Sequence, residues 1–263
     1  MSESPLVRTY EESGAVIVGG TSGIGLATAL GFAAAGVRRM VLVGRDHTRG
    51  EEARRTVLDR HRDVDVQFVS ADSSNIDEVE RCVATAHSAL GTVDICVNST
   101  TTAYRPELLH RTPMTALPDI LTGQAVPPML MTRAVLPLMQ AQGGGGIINI
   151  ASDAAKVPTP GESALGAAMA AIVMFSRVAA VEGKRNGVRV NAVTPSLVRG
   201  TRTADNVLSD GFSRSLFKKA SQQAHLGVAE PDDLASLIVY LGGPGAARLT
   251  GQTISVNGGI SAF

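Results

Sequence analysis

Near the start of the chain, Gly19-Gly20-Thr21-Ser22-Gly23-Ile24-Gly25 has the make-up of a phosphate cradle. Glycine is needed where backbone must turn tightly and approach a pyrophosphate with no Cβ in the way. A helix opening from such a turn presents free N–H groups and its positive dipole end to the phosphates. A Gly-rich turn is also an ordinary strand-to-helix connection, so position decides. This one follows a first β-branched run directly and opens a helical pattern. A second chemical feature closes the next β-branched run, where Gly44-Arg45 brings a cation and no acid. An acid there would hydrogen-bond adenosine ribose hydroxyls and favour NAD(H), whereas Arg grips a 2′-phosphate bidentately. A solvated surface Arg is the plainer reading; the missing acid tips the balance, and NADP(H) is favoured over NAD(H). Further on, Ser152 ends another short run. Its hydroxyl suits a ligand carbonyl, or it satisfies local backbone groups.

The elements that must position these residues alternate almost from end to end. Strand candidates are Ala15–Gly19, Met40–Gly44, Val64–Ser70, Asp94–Asn98, Gly146–Ala151, Val188–Ala192 and Thr253–Val256. Between them lie segments of helical period: Ile24–Ala35, Arg49–His61, Ile76–Leu90, Leu117–Gln140, Ser163–Arg185 and Pro231–Leu241. Parallel strands need crossover connections, so the alternation predicts an α/β, doubly wound, seven-stranded parallel sheet with helices on both faces. No repeat or domain boundary interrupts residues 1–263, which read as one domain. The least regular stretch, about 195–228, reads as a mobile lid over a substrate.

Composition narrows the partners. The 263 residues carry 24 basic and 24 acidic side chains, which gives no electrostatic reason to expect nucleic acid or an anionic membrane. Aromatics are scarce and Trp is absent, so the core must be built from aliphatic residues and Met. Cys82 and Cys96 show neither metal-ligand spacing nor a disulfide pattern; no metal is expected, and a reducing cytosol fits. The opening MSESPLVRTYEES lacks the basic-then-apolar order of a signal peptide. The apolar stretch Ala164–Val181 is interrupted by Ser176 and Arg177, and reads as a buried or interface helix and not a membrane span. A cytoplasmic protein is expected.

The spacing Gly19-x3-Gly23-x-Gly25 resembles the fingerprint of the short-chain dehydrogenase/reductase family, and the likeness runs over nearly the whole chain. Asp72, with Ser73 beside it, stands where the family's Asp contacts adenine. Asn98-Ser99-Thr100-Thr101 is similar to its Asn-Asn-Ala-Gly motif, with the second half altered. Asn149-Ile150-Ala151-Ser152 resembles the strand that presents the catalytic Ser, and Asn191 to Pro195 the segment that borders the nicotinamide, with Ser196 in place of the usual Gly. Thr250-Gly251 through Asn257-Gly258-Gly259 resembles the C-terminal signature. The resemblance implies a Rossmann fold, a bound NADP(H) held by Gly19, Thr21, Ser22, Gly23, Ile24, Gly25, Arg45, Asp72, Ser73, Asn98 and Pro195, and a dimer or tetramer assembled through the helix Ser163–Arg185.

The same resemblance exposes a departure. In the family a Tyr passes the proton and a Lys four residues later tunes it; counted from Ser152, those positions hold Leu165 and Met169, and the relay Asn reads Gln124. Neither Leu nor Met can carry a proton. The chain's tyrosines are Tyr10, Tyr104 and Tyr240, and neither Tyr10 nor Tyr240 has a Lys four residues on. Tyr104 and His110, in the loop after the fourth strand, and Asp153, Lys156 and Glu162, around the loop after Ser152, are the conceivable substitutes. Three functions stay open. The first is an oxidoreductase acting on a ketone or alcohol with altered residues. The second is a non-redox cyclase, dehydratase or lyase acting on an apolar ligand. The third is a catalytically silent assembly subunit.

Overall fold

In the computed structural model, which describes residues 6–209 and 211–262, strand β1 (Gly14–Val18) is buried along its whole length. Residues 1–5, 210 and 263, which the single-domain and leader readings include, lie outside the described residues. Ala15 and Ile17 pack on one side of the sheet, Val16 and Val18 on the other. Successive side chains of a strand point to opposite faces, so a strand apolar at every position must be covered on both.

The chain meets that demand by returning through a helix between strands. After β1 come α1 (Gly23–Ala35), β2 (Arg39–Gly44), α2 (His47–Arg60), β3 (Asp65–Ser70), α3 (Ile76–Leu90) and β4 (Ile95–Asn98). The second half runs α4 (Ala116–Ala141), β5 (Gly145–Ile150), α5 (Ser163–Gly183), β6 (Val188–Pro195), α6 (Arg202–Ser209), α7 (Gly211–Gln223), α8 (Pro231–Gly242) and β7 (Thr253–Val256). All neighbouring strands are parallel, in the order β3-β2-β1-β4-β5-β6-β7. Phe32 of α1, Val57 of α2 and Ile238 of α8 fill one face; Val83 of α3, Met131 of α4 and Ala179 of α5 fill the other. The strand order reverses between β1 and β4, and the crevice beyond the carboxyl ends of those strands is where such sheets take ligands.

Two expectations are corrected. Strand β6 continues past Ala192, because Val193, Thr194 and Pro195 pair with Ile254, Ser255 and Val256 of β7. Most described residues of the stretch 195–228 are regular: they form the end of β6, α6 and α7, and a small core from Leu197, Ala204 and Val207 with Phe217 and Val228 against it. Helix α5 with its 3-10 extension to Asn186 is long and apolar enough to cross a membrane. It is packed instead against α4 and β6, and 44% of its most apolar window is buried.

Candidate functional site

The glycine turn lies at the carboxyl end of β1. Gly19 has φ +78°, and a Cβ there would stand 2.3 Å from the Ser99 carbonyl oxygen. Its N–H donates to Val43 O at 2.8 Å, which ties the turn to β2. A Cβ on Gly25 would meet Gly19 O at 2.2 Å, so the turn and the first coil of α1 touch backbone to backbone. At the other end, a Cβ on Gly23 would find only Thr201, at 3.5 Å or more. Exposed Ser22 is the N-cap of α1, but its side chain makes no cap bond, so it leaves the first-turn N–H groups to another acceptor. Thr21 and Ile24, half-buried, flank it.

Across the crevice, Arg45 is mostly exposed and its guanidinium lies 3.9 Å from the Asp72 carboxylate. Asp72 accepts from Ser74 Oγ at 2.7 Å and Ser74 N at 2.9 Å, and these bonds, more than Arg45, hold its carboxyl below the usual range. Ser73 beside it is buried, as is Pro195 at the end of β6. The Asn98 side chain is buried. Its amide faces inward, donating to Asn149 Oδ1 at 2.8 Å; Asn149 Nδ2 donates to Ser176 Oγ, and Ser176 donates to Ile172 O. The Asn98 side chain therefore ties β4 and β5 to α5. Ser176, the polar break in an apolar stretch, was the sequence signal for this buried chain.

Beyond β5, Ser152 caps a 3-10 turn, accepting from Ala154 N at 3.2 Å. Among the described residues its O–H donates to no protein group. Asp153, a suspected acid-base group, is instead a clamp. Buried to 5% exposure, it accepts from Ser255 Oγ at 2.9 Å, Asn257 Nδ2 at 2.5 Å and Ser261 Oγ at 3.0 Å, with Lys156 Nζ at 3.5 Å. Lys156 also donates to Ser255 Oγ. A carboxylate with three donors and a cation is spent on holding the C-terminal segment.

Leu165 and Met169 lie on α5 in an apolar cluster with Ala151 of the β5 end, Ala192 of β6 and Met129 of α4. Gln124, also buried, accepts from Thr101 Oγ1 at 3.3 Å and donates to Thr102 O at 3.2 Å, fixing the loop after β4. That loop carries Tyr104, which donates its hydroxyl to Gly161 O at 2.5 Å. His110 sits exposed on a 3-10 turn, between Leu109 and Thr112 of the cavity wall. Tyr104, Arg105, Glu107, Ile120, Ser163 and Ala164 are among the residues lining that cavity of about 190 Å³.

A glycine-rich turn at a helix N-terminus, at the switch point of a doubly wound sheet, with a cation at the next strand end, defines a dinucleotide-binding α/β protein. The residues fit a nicotinamide dinucleotide: the α1 turn would hold its phosphates and Arg45 with Asp72 its adenosine end. A family model described as "Enoyl-(Acyl carrier protein) reductase" matches residues 18–261. A 3-oxoacyl-[acyl-carrier-protein] reductase of Synechocystis sp. is 30% identical over 95% of this chain and 97% of its own. Levodione reductase superposes with a TM-score of 0.90 at 25% identity, covering 97% of this chain and 100% of the other. L-sorbose reductase of Gluconobacter frateurii, solved with NADPH and L-sorbose, gives 0.86 at 30% identity over 97% and 98%. The chain belongs to the short-chain dehydrogenase/reductase family.

Proposed function

We propose that the protein is an NADP(H)-type oxidoreductase for an apolar ketone or alcohol, with its proton step moved away from the helix face that carries Leu165 and Met169. The observation that carries the reading is the glycine-rich turn at Gly19–Gly25, without a side-chain cap on α1, with Arg45 across from it. When bound, the reduced cofactor supplies the hydride. Ser152 orients the substrate oxygen with its undonated O–H, and the Leu165 and Met169 cluster excludes water from the reacting face. The resemblance puts those two residues where the family has its Tyr and Lys. General acid-base groups supply about 10²–10⁴-fold, so ordinary reduction is slowed by that order unless another group acts. Its setting is the reducing cytosol, and it works as a homo-oligomer through α5.

NADPH fluorescence titration, followed by oxidation assays with a ketone panel, tests the reading. Binding with turnover supports it; no binding removes it. Arg45→Ala is expected to weaken NADPH much more than NADH, and equal weakening would return the preference to neutral. Leu165→Tyr with Met169→Lys is expected to raise the reduction rate; no gain would show that the pocket itself has diverged.

A further inference from the structure

The 3-10 turn that follows Ser152, Asp153–Ala155, is held from two sides. On one side it rests on α5, where a Cβ on Gly166 would stand 2.8 Å from Ala154 O. On the other, the Asp153 carboxylate reaches β7 and the segment beyond it. Oδ1 accepts from Ser255 Oγ at 2.9 Å, and Oδ2 accepts from Asn257 Nδ2 at 2.5 Å and Ser261 Oγ at 3.0 Å. Lys156 Nζ, 3.5 Å from Oδ1, supplies the counter-charge and donates to Ser255 Oγ as well. Ser255 Oγ also lies 3.2 Å from Thr194 Oγ1, the buried residue before Pro195.

Pinning the turn fixes the serine that begins it. Ser152 Oγ accepts from Ala154 N at 3.2 Å, and Ser152 O accepts from Ala155 N at 3.0 Å. Asp153 O accepts from Lys156 N and Val157 N, each at 2.8 Å. A serine at a strand end otherwise has three staggered rotamers to choose from. Here its side-chain torsion follows the Ala154 amide, and that amide follows Asp153. Both charges of the Asp153–Lys156 pair give up water, so the pair adds little stability over apolar side chains of the same volume. What three donors and a cation impose on a carboxylate is direction.

We infer that Asp153 is a positioning residue: with Lys156 and the C-terminal donors it holds the Ser152 hydroxyl in the direction that receives a substrate oxygen. The inference rests on the oxidoreductase reading above, in which Ser152 orients that oxygen. Asp153 touches no substrate and moves no proton; it acts through Ser152. The same carboxylate joins the loop after β5 to β7 directly and, through Ser255, to the end of β6. Residues 255–261, more than a hundred positions from Ser152, thereby set the aim of its side chain. A misplacement of about 1 Å at such a group costs about 10²-fold in rate.

Asp153→Asn keeps the volume and removes the charge. With NADPH and a ketone that the wild type reduces, its kcat/KM is expected to fall about 10–10²-fold with NADPH affinity unchanged. Ser152→Ala is expected to lose about 10²–10³-fold, the worth of one donor to a developing oxyanion. The double variant should then lose no more than Ser152→Ala alone, because Asp153 has nothing left to act through. Losses that multiply, or an Asp153→Asn protein with the wild-type rate, overturn the inference and leave the oxidoreductase reading standing. Hydrogen exchange gives a readout without cofactor or substrate. The Ala154 amide is expected to lose protection in Asp153→Asn while the Ile148 amide of β5 keeps it. Loss at both together would mark a loosened fold and overturn the inference. If Asp153→Asn fails to fold, Ser261→Ala removes one donor, leaves the ion pair in place and should repeat both effects at smaller size. A wild-type protein that binds NADPH and reduces no ketone overturns the oxidoreductase reading and takes this inference with it.

Discussion

A carboxyl that resists ionisation in the folded chain must leave a mark on stability. The Glu162 pKa is raised from 4.5 to about 7 by burial. Between those values the unfolded chain releases a proton that the folded chain keeps, so the folded state loses ground as pH rises. The effect is absent below about pH 4.5 and complete above about 7, and its upper bound is about 3 kcal/mol. Urea unfolding of wild type and Glu162→Gln is expected to agree at pH 5 after allowance for the substitution itself, and to favour the variant at pH 8. A difference independent of pH would mean that the carboxyl is solvated. At the same scale, Gly25→Ala sets a Cβ 2.2 Å from Gly19 O, a backbone atom that cannot swing aside. The variant is expected to lose roughly 1–3 kcal/mol of stability, as overpacked sites do, and its NADPH fluorescence response with it.

Elements decide which of these residues can act together. Asp153 follows Ser152 in sequence and for that reason looks like a member of the site; adjacency along a chain says nothing of direction, and the side chain turns away to Ser255, Asn257 and Ser261. The inner strands were legible because runs such as β1, β2 and β5 are apolar on both faces, as only central strands are, whereas the edge strands β3 and β7 were read from their β-branched residues. Helices α6 and α7 were not, because both are short, polar on balance and bury only a few residues against a satellite core. The glycine turn was readable in full, since its residues are fixed by backbone geometry, whereas the inward course of Asn98 depends on partners 51 positions away. Asp153 also anchors the far end of the α6–α7 segment: Leu226 N donates to Gly258 O at 3.0 Å, and a Cβ on Gly258 would stand 1.8 Å from Gly227 O. Asp153→Ala leaves Lys156 without its counter-charge and is expected to cost about 3–5 kcal/mol. Limited proteolysis should then cut near 226–227 faster than in wild type. Equal cleavage would show that the α6–α7 segment is held by its own core.

At the scale of the whole molecule, the buried and the exposed apolar groups make opposite predictions. Cys82 and Cys96 are buried, and burial pushes their thiols to about 11 and about 12, so neither should react with a thiol reagent until the chain unfolds. On the outside, Met174, Val178 and Val181 of α5 are 57%, 49% and 60% exposed. Their spacing of four and three residues puts them in one stripe on the side of the helix turned away from β6. A formal net charge of zero offers no long-range repulsion to keep copies apart. A stripe of this kind on a symmetric axis would meet the same stripe of a second copy, since a two-fold contact pairs a patch with itself. Val178→Glu with Val181→Glu introduces like charges on both sides of such an axis and disturbs little of the α5 core, because both positions are solvent-facing within one chain. Light scattering is expected to show the wild type as a dimer or tetramer and the double variant as a monomer with an unchanged melting temperature at high dilution. A wild type that elutes as a monomer, or a variant whose mass is unaltered, would place the contact on another face.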